Sequence, residues 1–108
     1  MENNIEVKIK TEKAQTWYIS HPKFSYGIFC LNDSGDLFLN SDWGMYGFAW
    51  RSYGDDFKEF LAQTNADYIV GKFDTNMRYL HSKGMPKHCV KPVTELVNAF
   101  IQALKSNL

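Results

Sequence analysis

From Val93 onward the chain carries Val93, Leu96, Val97, Phe100, Ile101 and Leu104 at spacings of three and four. That interval matches the α-helical repeat, so these side chains make one continuous apolar stripe along a helix. Such a stripe must be covered by another apolar surface, and the rest of the chain has to supply it. Pro92 suits the first helical position, where its missing N–H costs nothing. Lys105 falls in the last turn, where the helix dipole favours a cation. At ~1.5 Å per residue, Pro92 to Lys105 predicts a rod about 20 Å long, enough to cover one face of a small sheet.

The N-terminal half reads as that sheet. Ile5, Val7 and Ile9 alternate with Glu6, Lys8 and Lys10, a period of two that predicts a strand with one wet face. Trp17-Tyr18-Ile19 is a second strand, ended by the break at His21-Pro22. Phe24 to Leu31 is a third, and Asp36 to Asn40 a fourth. Between them Asn32-Asp33-Ser34-Gly35 has turn chemistry, since Asn, Asp and Gly tolerate positive φ angles. Met45 to Tyr53 alternates again, with Tyr46, Phe48 and Trp50 on one face and Gly47, Ala49 and Arg51 on the other. The expected fold class is α+β: an antiparallel β-meander of about five strands, followed by and packed against C-terminal helices.

After Gly54 the period changes. Asp56, followed three residues later by Glu59, resembles a capping box before Phe57, Phe60 and Leu61. Asn65 and Asp67 offer a second cap before Tyr68, Ile69 and Val70, so a second short helix is expected towards Phe73. From Asp74 to Met85 the pattern fits helix or loop, and Ser82 to Lys87, with Gly84 and Pro86, reads as loop. There are no repeats, linkers or low-complexity tracts, and 108 residues suit a single domain, 1–108.

Charge narrows the function classes. Twelve basic residues balance twelve acidic ones. A dedicated nucleic-acid binder carries a basic excess, because neutralising phosphates supplies much of its affinity. A nucleic-acid mimic would carry the opposite. The first residues are polar and acidic, unlike a secretory signal, and no apolar run approaches a membrane span of ~18 residues, so a cytoplasmic location is expected. Cys30 lies in an apolar run and reads as a small buried hydrophobe, whereas Cys89 lies in a loop-like segment beside His88. Two such cysteines are expected to be free thiols in a reducing compartment.

No residue set makes a convincing catalytic or metal site. His81, His88 and Cys89, with Cys30 brought from the sheet, lack the paired spacings of a structural zinc site. Cys89 with His81 or His88 meets the minimum list for a nucleophile pair, but adjacent residues on extended chain point apart, which places His88 badly. Asp55-Asp56 with Glu59 is better used as a helix cap than as an acid/base pair. Gly44, Gly47 and Gly54 follow no phosphate-loop spacing. The chain is therefore expected to be non-enzymatic, with no metal and no cofactor.

The aromatic stretch from Trp43 to Arg51 has two readings: one alternating face of a core, or a platform for a partner. A platform that stacks bases would need the basic excess and the RNP-like pattern that are missing here, so protein contact is favoured. The segment Ser41-Asp42-Trp43-Gly44, then Trp50, Gly54, Phe57-Lys58-Glu59-Phe60-Leu61, Asp67-Tyr68 and Gly71-Lys72-Phe73 resembles a pattern in small proteins encoded by phages and prophages. The resemblance covers Ser41 to Phe73 and carries no catalytic residue. It implies a protein that binds and blocks a host protein or defence complex, with an anti-CRISPR or other anti-defence inhibitor as the leading specific form. Trp43, Tyr46, Arg51 and Tyr53 are the candidate anchors, since Trp, Tyr and Arg dominate interface hot spots. The alternative is a nucleic-acid-binding or regulatory module using Lys72, Arg78, Lys83, Lys87 and Lys91, with His81 and His88. A spare aromatic face would serve equally for a homodimer.

Overall fold

The computed structural model describes residues 5–108. Four strands come first: β1 (Ala14–His21), β2 (Ser25–Asn32), β3 (Asp36–Ser41) and β4 (Gly44–Ala49). Three helices follow: α1 (Phe57–Gln63), α2 (Ala66–His81) and α3 (Lys87–Ser106). The strands form one antiparallel sheet in the order β1-β2-β3-β4, a meander. The turn between β2 and β3 works as its composition predicts. Asn32 Oδ1 accepts from the Ser34 and Asp36 amides at 3.0 and 3.1 Å, and Gly35 takes φ +93°. A Cβ at Gly35 would also meet the Trp50 carbonyl oxygen at 1.9 Å, so glycine is needed there on two counts.

The sheet buries one face only. Phe29, Leu31, Leu37, Leu39 and Tyr46 point to the helices, and the α3 stripe of Val93, Leu96, Val97, Phe100, Ile101 and Leu104 lies against them. Phe100 stacks on Phe29 with ring centroids 4.2 Å apart and planes 2° from parallel. Each of these side chains contributes roughly 1.5–3 kcal/mol by leaving water. α1 and α2 are capped as the sequence predicts: Asp56 accepts from the Glu59 amide at 3.1 Å and Asn65 from the Tyr68 amide at 2.9 Å. Around Trp50, the rings of Phe48, Phe57, Phe60 and Tyr68 close the core at the sheet's exit, and Trp50 Nε1 donates to the Tyr68 hydroxyl at 3.0 Å.

Three expectations are corrected. The meander has four strands: residues 5–13 carry no regular secondary structure, so the alternation of Ile5, Val7 and Ile9 has no strand to pair with in its own sheet. α2 runs unbroken to His81, where Ser82 ends it in the left-handed region at φ 64°. The Asp74–Arg78 pair, one turn apart at 2.8 Å, supports the part that read ambiguously. α3 begins a turn and a half before Pro92, which is buried inside the helix. Pro92 leaves the His88 carbonyl without its usual helical donor. That loss is tolerated because His88 faces water and because the extra turn buries Cys89 under the core.

Phe100→Ala is expected to cost about 3–5 kcal/mol of unfolding free energy, measured by urea titration, because it opens a cavity at the sheet–helix seam. An effect below ~1 kcal/mol would contradict that role.

Candidate functional site

All three helices pack on the core side or along an edge, so the other sheet face is left open. The strand register lines its side chains in rows. Tyr18, Ile28, Asn40 and Met45 stand side by side across the sheet, and Thr16, Cys30, Phe38 and Gly47 form the adjacent row. Phe38 and Met45 are 57% and 74% exposed, and Tyr18 and Tyr26 are exposed as well. Gly47 is small for a reason: a Cβ there would come within 2.8 Å of the Phe38 ring, which lies over it.

The C-terminal half of α2 turns this open face into a groove. It runs beside β4, and Asn76 Nδ2 donates to the Gly47 carbonyl at 2.8 Å, capping the edge strand. Beyond that contact Met77, Leu80 and His81 line the groove from the helix side, and Ile28, Cys30, Phe38, Met45 and Gly47 line it from the sheet. The groove encloses about 490 Å³ and is lined mainly by carbon. Its few polar groups include Asn40, His81 and Asn76, of which Asn76 is already engaged. It can therefore bury apolar side chains but has little with which to orient a small polar substrate.

The anchors expected from sequence do not form one patch. Tyr46 is only 7% exposed and belongs to the core, stacked on Phe73 at 5.9 Å, with its hydroxyl donating to the Trp43 carbonyl at 2.6 Å. Burial first, and contact with Cys89 second, push the Tyr46 pKa well above its ordinary value. Trp43 is half-buried, with Nε1 donating to the Phe24 carbonyl at 3.0 Å. Tyr53 packs edge-on against Phe57 at 4.9 Å, and its hydroxyl donates to the Asp33 carbonyl. Arg51 is exposed but pairs with Asp36 at 3.0 Å and donates to the Ser34 carbonyl at 2.8 Å. The Asp36 carboxyl is held below the usual range chiefly by a hydrogen bond from Asn32, with Arg51 adding to it. These four side chains hold turns and the core together. The alternation from Trp43 to Arg51 does not point to the open-face residues of β1 and β3. The usable signal was an unbroken apolar run, Trp17-Tyr18-Ile19 or Leu37-Phe38-Leu39, which sets a large side chain on each side of a strand.

The basic stretch is divided as well. Lys72 lies over the rings of Phe48 and Tyr68, 5.4 and 5.5 Å from their centroids, on the Trp50 side of α2. Arg78 is paired with Asp74. Lys83 in the α2–α3 loop and Lys87 and Lys91, one turn apart on α3, remain exposed. Cys89 is buried in the first turn of α3, not in a loop, and Cys30 is half-buried on the open face, not in the core. Among the described residues, no group of three or more His, Cys, Asp or Glu gathers as a metal site, and no helix is long and apolar enough to cross a membrane.

The model of a phage family, Phage_phiTE_072, matches residues 7–100. That span runs from before β1 to late in α3 and so includes every open-face and groove residue named above. No curated protein and no solved structure matches the chain.

Asp74 gives this region a pH dependence. Its carboxylate accepts from Arg78 Nε at 2.8 Å and from the Met85 amide at 2.7 Å, and these bonds, Arg78 first, hold its pKa below the ordinary value. A lowered pKa means that the ionised form stabilises the fold above the ordinary aspartate range, and that this contribution is lost as pH falls through the folded-state pKa. Asp74→Asn is expected to cost about 1 kcal/mol at neutral pH, the scale of a partly solvated charge-assisted bond. The difference from the unsubstituted protein should shrink towards zero in acid, read from thermal melts across pH. A pH-independent difference would contradict the assignment.

Proposed function

The chain belongs to this phage family, and we propose that it is a non-enzymatic binding protein that docks an apolar segment of a host protein or complex on its open sheet face. The observation that carries this reading is the uncovered sheet face itself. Phe38 and Met45, with Leu80 from α2, stand exposed around the groove, and Tyr18 lies in the same open-face row as Met45. Large exposed apolar patches of this kind mark interaction sites in soluble proteins. Exposed aromatic and Met side chains supply most of the affinity when a partner excludes water from them. Phage-family membership favours a bacterial target met in the host cytoplasm. An anti-defence inhibitor, in the anti-CRISPR manner, is the specific form: occupancy of the groove would block a defence complex sterically. Trp43, Arg51 and Tyr53 act in this reading as supports of the scaffold.

The second reading is nucleic-acid binding through Lys83, Lys87 and Lys91, with the engaged Lys72 and Arg78 contributing less. It is favoured only by the local run of exposed cations at the start of α3. The two readings differ in salt dependence, because phosphate contacts release counterions and apolar anchors do not.

The test is affinity capture of the tagged protein from a nuclease-treated bacterial lysate, with Met45→Asp and Lys87→Glu run alongside. Both positions are exposed, so both variants should keep the unsubstituted circular dichroism and melting temperature. A stoichiometric protein partner should be recovered by the unsubstituted chain and by Lys87→Glu. It should be weakened at least about tenfold by Met45→Asp, which corresponds to ~1.4 kcal/mol. Equal recovery by both variants would remove the groove from the site. Recovery of nucleic acid alone, in the absence of nuclease and lost with Lys87→Glu, would move the function to the basic stretch.

A further inference from the structure

The two ends of the sheet are treated differently. β4 is covered by α2 and capped by Asn76. β1, at the other end, presents an outer row of backbone N–H and C=O groups with no partner among the described residues. Such an edge pairs readily with another strand unless a proline, a bulge, a run of charge or a covering element prevents it. From Ala14 to His21, AQTWYISH, β1 has no proline and no Lys, Arg, Asp or Glu.

Residues 5–13 lead directly into this edge strand. Every one of them is exposed, and none makes a backbone–backbone hydrogen bond among the described residues. Ile5, Val7 and Ile9 keep the alternation of a strand yet are 81%, 72% and 85% exposed. The molecule is 59 Å along its longest axis, while α3, its longest element, accounts for only about 30 Å. Its radius of gyration is 15.8 Å, against about 13 Å for a compact chain of this length. An arm that projects from the body explains both excesses.

We infer that residues 5–13 form a strand whose partner is β1 of a second copy of this chain. Phase is the first argument. On β1 the odd-numbered Trp17 and Ile19 turn towards the core, with Trp17 edge-on to Phe100 at 6.1 Å. Residues directly opposite in an antiparallel pair share a face. Any register that sets odd against odd therefore places Ile5, Val7 and Ile9 on the core side, beside half-buried Trp17 and Ile19. Length is the second argument: nine arm residues span about 30 Å and the eight of β1 about 27 Å at ~3.4 Å each.

Symmetry and charge narrow the register, and apolar pairing then favours one. In a two-fold dimer each arm lies along the partner's β1, and the residue on the axis faces its own copy. An axis at Glu12 or Lys13 opposes like charges, which is unfavourable. An axis at Ala14 opposes none there, and it sets Ile9 against Ile19 and Lys10 against Tyr18. Each four-stranded sheet gains a fifth strand from the partner's arm, so β1 is no longer an edge, and the β4 edge at the other end stays covered by α2. This association uses the β1 edge and leaves the open-face groove free, so it stands apart from the proposal above.

The test is sedimentation equilibrium of the untagged full chain over a dilution series, followed by cross-linking. The unsubstituted protein should approach twice its 12.5 kDa chain mass, and Ile9→Asp should shift it to the monomer with unchanged circular dichroism. In a Cys30→Ser background, a chain carrying Ile9→Cys, mixed with a differently tagged chain carrying Ile19→Cys, should give an oxidised product joining the two tags. A monomer throughout the series would overturn the inference. So would a dimer that survives Ile9→Asp, which would place the contact on another surface.

Discussion

The Phe100 ring lies flat on Phe29 at 4.2 Å, in the middle of the seam where α3 crosses the sheet, and most of the molecule is arranged to make that contact possible. On the sheet side, Gly27 leaves room next to Phe29: a Cβ there would come to 3.0 Å from the Phe29 ring and 3.1 Å from Leu39. On the helix side, Val93, Leu96, Val97, Ile101 and Leu104 continue the buried stripe in both directions. The seam works as a hydrophobic contact between one helix stripe and one pleated face, the smallest arrangement that gives an α+β chain a core. α1 and α2 then close its flanks.

A meander joined by tight turns has no crossover segments with which to cover its second face. All helices come after the last strand, so they stack on the side where the chain leaves the sheet, around Trp50. This order gives the molecule its asymmetry. One face is packed with fully buried Phe29, Leu37 and Leu39, and the other carries Tyr18, Phe38 and Met45 in the open. α2 partly compensates by covering the β4 edge, and in doing so its Met77 and Leu80 line the groove from the helix side. The groove is thus a by-product of where the covering layer ends. Its chemistry follows from the unbroken apolar runs in β1 and β3.

The aromatic residues illustrate how composition and placement separate. Trp43, Tyr46, Trp50 and Tyr53 are the conspicuous ones in sequence, and each is used internally: Trp43 on the Phe24 carbonyl, Tyr46 on the Trp43 carbonyl, Trp50 on Tyr68, Tyr53 on the Asp33 carbonyl. A large amphipathic ring with one polar atom serves an interface well, and for the same reason it serves a turn that has a free carbonyl. Local sequence does not distinguish the two uses.

What the sequence determined by itself was local. The stripe from Val93 to Leu104, the caps at Asp56 and Asn65 and the turn around Gly35 depend on side chains and backbone within a few residues of one another, and each is found where the residues put it. The strands of the meander follow for the same reason, since each short apolar run ends at turn residues close to it in sequence. Tertiary structure decided the rest. Pro92 has the chemistry of a helix start, but burial of Cys89 against Tyr46 and the core draws the helix back to Lys87. Ile5, Val7 and Ile9 have the pattern of a strand, but a strand needs a neighbour, and the chain's own sheet offers them none. The open face was set by which side the helices chose. That choice rests on contacts between residues sixty or more positions apart, such as Phe29 with Phe100, which no local period records.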